Sequence, residues 1–202
     1  MQTKKLFAII ISFSLFLSAC SGPQVVMKHV PNPGNKIRVA VLPFKDAPGM
    51  SGTGEMAAEA MTTYLLNIPA YEMIERGALE QVVKEQNLGI TGAIDPTTAS
   101  NLGKILGADA LVIGAVTEYK QRRLMIFPPA KATITARLVR TDTATVEWSA
   151  TYSLGWHPVK WMVSFFWPLG VVLVATSPSA EDRLQKAAKK ISQKIEEKSR
   201  LD

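Results

Sequence analysis

Apolar positions along the chain change their spacing several times, and each change predicts an element. Lys36 to Phe44 (KIRVAVLPF) holds an unbroken apolar run, Val39 to Leu42, with Pro43 at its exit, which predicts a core strand. From Gly54 to Asn67, Met56, Ala60, Met61, Tyr64, Leu65 and Ile68 recur at helical spacing, so a helix with one apolar stripe follows and Pro69 ends it. A short strand is expected at Tyr71 to Glu75. Ala78, Leu79, Val82 and Val83 then form one face of a helix that Gly89 terminates. Asp95-Pro96 is a helix start, because aspartate caps free amides and proline fits the first helical position. That helix turns Ala99, Leu102, Ile105 and Leu106 inward and stops at Gly107. Ala110 to Val116 is continuously apolar and reads as a strand buried on both faces.

Downstream the period falls to two. Ile134, Ala136 and Leu138 alternate with Thr133, Thr135 and Arg137; Asp142 to Ala144 turn the chain, and Val146, Trp148, Ala150 and Tyr152 alternate again, which predicts a hairpin. The last helix is expected at Ala180 to Ser199. Ser179 with Asp182 makes a capping-box start, and Leu184, Ala187, Ala188, Ile191 and Ile195 line one face under a solvated surface of Lys186, Lys189, Lys190 and Lys194.

The first residues obey a different logic. Lys4 and Lys5, the apolar run Leu6 to Leu17, and Leu17-Ser18-Ala19-Cys20 have the layout of a secretory signal, too short to span a membrane. The last four resemble a bacterial lipobox, which implies cleavage between Ala19 and Cys20 and lipidation of Cys20, the single cysteine of the chain. Ser21 rather than aspartate after it points to the outer membrane. Acyl chains hold firmly, at about 0.8 kcal/mol for each buried methylene. Residues 20–35, with Pro23, Pro31, Pro33, Gly22 and Gly34, read as an extended tether on which the domain stands off the membrane.

One segment does not fit a water-exposed domain. Trp161 to Ala175 (WMVSFFWPLGVVLVA) carries no charge and is apolar but for Ser164, and Pro168 and Gly170 interrupt it. As a helix it would reach roughly 22 Å, short of the roughly 30 Å hydrocarbon core. It is expected either to enter the membrane as a hairpin, alone or as part of an oligomeric barrel, or to be covered by protein, in the core of the chain or at a subunit interface. The contact residues would be Trp161, Phe165, Phe166, Trp167, Val171 and Leu173.

Charge and chemistry narrow the function by exclusion. The net charge of +6 falls to +4 without Lys4 and Lys5, too weak and scattered for nucleic acid. After the glycines of Asp46 to Glu55 come Glu55 and Met56, not the lysine and hydroxyl that a phosphate loop needs. His29 and His157 lack acidic or cysteine neighbours at ligand spacing, so no metal site or other cofactor is expected. No nucleophile elbow or dinucleotide turn appears, and an enzyme is not expected.

The block Tyr71 to Tyr119 carries a resemblance. Its phrases run Ile74-Glu75-Arg76; Lys84-Glu85-Gln86, Leu88-Gly89, Gly92 and Asp95; Gly103-Lys104, Leu106-Gly107-Ala108-Asp109-Ala110-Leu111-Val112 and Gly114; and Thr117-Glu118-Tyr119. In that order they resemble the CsgG-like domain of curli-secretion lipoproteins, which is related to the lipoprotein activators of peptidoglycan synthases. Ala136 to Thr141 with Val146 to Trp148 match a further family phrase. The resemblance implies an α/β fold, a three-layer-like sandwich with a mixed central sheet flanked by helices, and a homo-oligomer. The domains expected are a signal peptide (1–19), a lipidated tether (20–35), the CsgG-like domain (36–155), an apolar segment (156–178) and a C-terminal helix (179–202). The function implied is a non-enzymatic subunit of a secretion, assembly or envelope complex, anchored through Cys20 at the outer membrane with its domain in the periplasm. The alternative is a regulatory lipoprotein without pore activity. A pore subunit of this family would carry a first membrane hairpin between Tyr119 and Lys131, where the chain has only KQRRLMIFPPA.

Overall fold

The structure, a computed structural model, describes residues 22–75, 77, 96–121, 130–155 and 178–200. Its centre is a six-stranded mixed sheet built from β1 (Gln24–Met27), β2 (Ile37–Val41), β3 (Tyr71–Met73), β4 (Ala110–Lys120), β5 (Lys131–Arg140) and β6 (Val146–Leu154) in the order β1-β6-β5-β4-β2-β3. β2 runs parallel to both β3 and β4, and the other pairings are antiparallel. Three helices complete the described fold: α1 (Thr53–Leu65), α2 (Pro96–Leu106) and α3 (Ala180–Ser199).

Alternation along the strands divides the side chains between two faces. On one face, Val39, Val41, Val112, Ile134, Leu138 and Trp148 pack with Met61 and Leu65 of α1 and Leu184, Ile191 and Ile195 of α3. On the other, Ala40, Leu42, Leu111, Ile113 and Val139 pack with Leu102 and Leu106 of α2. Helices therefore cover both faces of β2 and β4, which is why the Ala110 to Val116 run carries no polar alternation. The sandwich expected from the sequence is the fold observed.

α3 has the predicted bounds. The Ser179 hydroxyl accepts the Asp182 N–H at 3.0 Å and the Asp182 carboxylate accepts the Ser179 N–H at 2.9 Å, a reciprocal cap. α1 begins at Gly52, in the left-handed region and without a side chain to cap it. Asp46 supplies the acceptor from six residues upstream, taking the Gly54 N–H at 2.6 Å and the Thr53 hydroxyl at 3.2 Å. α2 ends at Gly107, whose φ of 61° lets the Ala108 N–H reach back to the Gly103 carbonyl at 2.8 Å.

Three expectations are corrected. Residues 24–27, read as tether, form the edge strand β1, because the buried Val25 and the ladder to β6 outweigh the prolines around them. Ile105, read as facing inward, is half exposed: the core beneath α2 is narrow and Leu102 and Leu106 fill it. β4 continues past Val116 to Lys120, with a register shift between Val116 and Glu118. The helix expected at Ala78 to Val83 lies outside the described residues.

Strand direction gives the sheet two distinct ends. Lys120 pairs with Lys131 and Ala132 with Leu154, so β4 leaves, β5 enters and β6 leaves side by side. Gln24 pairs with Thr151, so β1 enters from this same end. At the opposite end Ala110 pairs with Arg140, and residues 28–36 cross the ends of β6, β5 and β4 to join β1 to β2.

Candidate functional site

Every site residue read from the sequence lies outside the described residues: Ala19, Cys20, Trp161, Phe165, Phe166, Trp167, Val171 and Leu173. The structure instead fixes the points from which those segments depart. Gly22, two residues after Cys20, stands just ahead of β1. Gly155 and Pro178 flank the segment that contains Trp161 to Ala175, and Gln121 and Ala130 flank the link between β4 and β5. Gly22, Gln121, Ala130 and Gly155 each adjoin the sheet end that carries Lys120, Lys131 and Leu154.

That end is bound together by charge. Glu118 accepts from Lys131 at 2.6 Å and from Lys120 at 2.9 Å, and these bonds hold its carboxyl below the usual range. Arg183, in the first turn of α3, is nearly buried and donates from Nη1 to the Gly155 carbonyl at 3.0 Å, which ties the start of α3 to the end of β6. Its Nε has no partner among the described residues. The sequence did not single out Arg183; its only signal was a cation directly before the apolar stripe at Leu184.

At the opposite end Arg140 is gripped by Asp142 through Nε at 3.2 Å and Nη2 at 3.0 Å, and this holds the Asp142 carboxyl down at about 2. Glu147 stands 3.7 Å from Arg140 Nε and is largely enclosed; burial pushes its carboxyl above the usual range. Beside it, Trp148 Nε1 donates to Tyr71 Oη at 2.9 Å inside the core, where burial pushes the Tyr71 phenol up. A cavity of about 240 Å³ opens between this cluster and residues 29–35. A second groove, of about 310 Å³, runs between α1 and α3. Among the described residues, no group of three or more His, Cys, Asp or Glu is placed to hold a metal ion, and no helix is long and apolar enough to cross a membrane.

Comparison with known proteins places the fold. Residues 24–123 match the family described as "Curli production assembly/transport component CsgG". No curated protein sequence matches the chain. Among solved structures, a PelC dodecamer from Paraburkholderia phytofirmans aligns over 86% of this chain and 94% of its own, with 18% identity and a TM-score of 0.48. The lipoprotein GNA1162 from Neisseria meningitidis aligns over 70% of this chain and 98% of its own, with 21% identity and a TM-score of 0.48. The LpoB C-terminal domain from Salmonella enterica aligns over 72% of this chain and 93% of its own, with 12% identity and a TM-score of 0.46. The match begins at Gln24, the first residue of β1, and runs past Lys120, the last of β4; through these residues the chain belongs to the CsgG-like family.

Proposed function

We propose that the chain is a lipoprotein of the outer membrane, acylated at Cys20, whose CsgG-like domain serves as a non-enzymatic and oligomeric subunit of a secretion, assembly or envelope complex. The observation that carries this reading is the shared exit of the chain. The anchor point, the β4–β5 link and the segment holding Trp161 to Ala175 all depart from one end of the sheet. Because β1 belongs to the sheet, only three residues separate Cys20 from Gln24, a reach of roughly 14 Å at most over the four Cα-to-Cα steps. Lipidation at Cys20 therefore presses that end against the bilayer and brings Trp161, Phe165, Phe166, Trp167, Val171 and Leu173 within range of lipid or of a neighbouring subunit.

With Cys20 acylated, an introduced cysteine is the only free thiol. Ser153→Cys, near the end of β6, and Thr143→Cys, in the turn that precedes it, labelled in turn with a fluorophore in proteoliposomes, report the two ends of the sheet, roughly 25 Å apart. Quenching by a lipid-headgroup quencher is expected to be strong at Ser153 and weak at Thr143. Equal quenching at both positions refutes the orientation, and acyl labelling that persists in Cys20→Ser refutes the anchor.

A second reading has its own support. Only ten residues, 121–130, join β4 to β5, fewer than the two strands of 9–11 residues that a membrane-crossing hairpin needs. This favours a regulatory lipoprotein facing the periplasm, akin to the activators of peptidoglycan synthases, over a pore. Conductance of planar bilayers holding the purified oligomer separates the two.

A further inference from the structure

The groove between α1 and α3 carries charge of one sign. Glu59 of α1 and Glu181 of α3 line it together with the apolar surface of Met56, Tyr64 and Leu184, and no basic side chain is among its walls. Both carboxylates are exposed, and neither has an ion-pair partner among the described residues. Met56 and Tyr64 are only partly buried, although they pack against the main core. The groove therefore offers two free negative charges beside a strip of apolar surface.

The complementary charge stands elsewhere on α3. Lys186, Lys189 and Lys190 are exposed and have no ion-pair partner among the described residues, whereas Lys194, one turn later, is held by Glu197 at 2.9 Å. At 100° per residue, Lys186 lies roughly 140° around the helix from Glu181, and Lys190 as far from Gln185, the two polar residues of α3 that wall the groove. The lysine row thus faces away from α1, and one chain cannot lay its own row in its own groove. A second copy can. Glu181 and Lys190 are separated by roughly 14 Å along the helix axis, so copies held side by side need little displacement along α3 to bring row and groove together.

We propose that the α1–α3 groove is the docking surface for a second copy of this chain, whose Lys186–Lys190 row enters it. Glu59 and Glu181 meet the lysine ammoniums, and the methylene stems of the lysines lie on Met56 and Tyr64. The contact is heterologous: each copy gives its row to one neighbour and its groove to the other, and association continues until a ring closes. The proposal rests on the oligomeric reading given above and adds the surface through which the copies meet.

The test is the mass of the detergent-solubilised full chain, measured by light scattering with the detergent subtracted. The native chain is expected to be an oligomer. One variant combines Glu59→Lys with Glu181→Lys and a second combines Lys186→Glu with Lys190→Glu. Each sets like charges against one another across the contact and is expected to be monomeric at a concentration where the native chain is assembled. Mixed in equal amounts, the two variants match again, because the reversed row of one fits the reversed groove of the other and the native row and groove also pair. The mixture is expected to re-form oligomers in which the variants alternate, a recovery that damage to the fold does not produce. Native mass retained by either variant overturns the proposal, as does a mixture that stays monomeric when both variants unfold cooperatively in urea; in both cases the oligomer itself stands. A monomeric native chain overturns the oligomeric reading and this interface with it.

Discussion

Glu147 illustrates how a single side chain here answers to conflicting demands. Its neighbour Trp148 anchors the core and requires β6 to pass at this point, which carries the adjacent carboxylate out of bulk water. A carboxyl raised in the folded protein binds its proton more tightly than in the unfolded chain. It therefore costs nothing at acid pH and subtracts stability as pH rises through and beyond the ordinary value of 4.5. Glu147→Gln is expected to raise the midpoint of urea unfolding at neutral pH, with a gain that shrinks to nothing below pH 4.5. A gain of constant size across that range contradicts the burial argument. Nothing local in the sequence marks Glu147, which sits in a hairpin as an ordinary polar position. Its surroundings come from four separate stretches that meet only because residues 28–36 cross the sheet. A composition or spacing argument reads neighbours along the chain, and these are neighbours only in space.

Elements were legible where their signals were local. α3 announces itself through Ser179, Asp182 and a stripe of five apolar positions, all fully buried, each worth roughly 1.5–3 kcal/mol for the larger side chains. The hairpin of β5 and β6 is equally plain, because alternation and turn coincide. β1 was not legible: four residues between prolines carry no period, and only the partner strand gives them a conformation. α1 is an intermediate case. Its apolar stripe is evident, but its cap comes from Asp46, outside the helix and across a glycine turn. Asp46→Ala is expected to cost about 1 kcal/mol, the usual value of a lost N-terminal cap. Hydrogen bonding, chiefly from the Gly54 N–H, holds the Asp46 carboxyl below its ordinary value. Its contribution is thus present above that value and fades as pH falls through the folded one. Urea unfolding at pH 7 and at successively lower pH checks both points, since the gap between native and variant narrows as the carboxyl takes up its proton.

At the scale of the molecule, the family and the sandwich were readable from Tyr71 to Tyr119, because helix stops and strand starts are written there in glycine and apolar runs. The standing of the domain relative to the anchor proposed at Cys20 was not, since it depends on whether residues 24–27 belong to the tether or to the sheet. Their pairing with β6 shortens the free chain after Cys20 from seventeen residues, counted to Ile37, to four. Val25→Asp places a charge in the core under β1 and is expected to release the strand. Amide exchange at Ser149 to Thr151 then rises, and the reach of the domain grows from roughly 14 Å to roughly 60 Å. Headgroup quenching at Ser153 falls accordingly; unchanged exchange shows that β1 contributes nothing to the ladder.

The direction of β1 also decides how the domain bears load. The strand enters from the end nearest Cys20 and runs antiparallel to β6, so tension on an anchor there acts along the strand axis and shears the ladder. Its hydrogen bonds, together with the Lys198 ammonium that holds the Val25 carbonyl at 2.8 Å, must then yield together rather than in succession. An edge strand of four residues becomes the mechanical joint of the protein, resistant to a pull from the membrane and readily unzipped by a force applied across it.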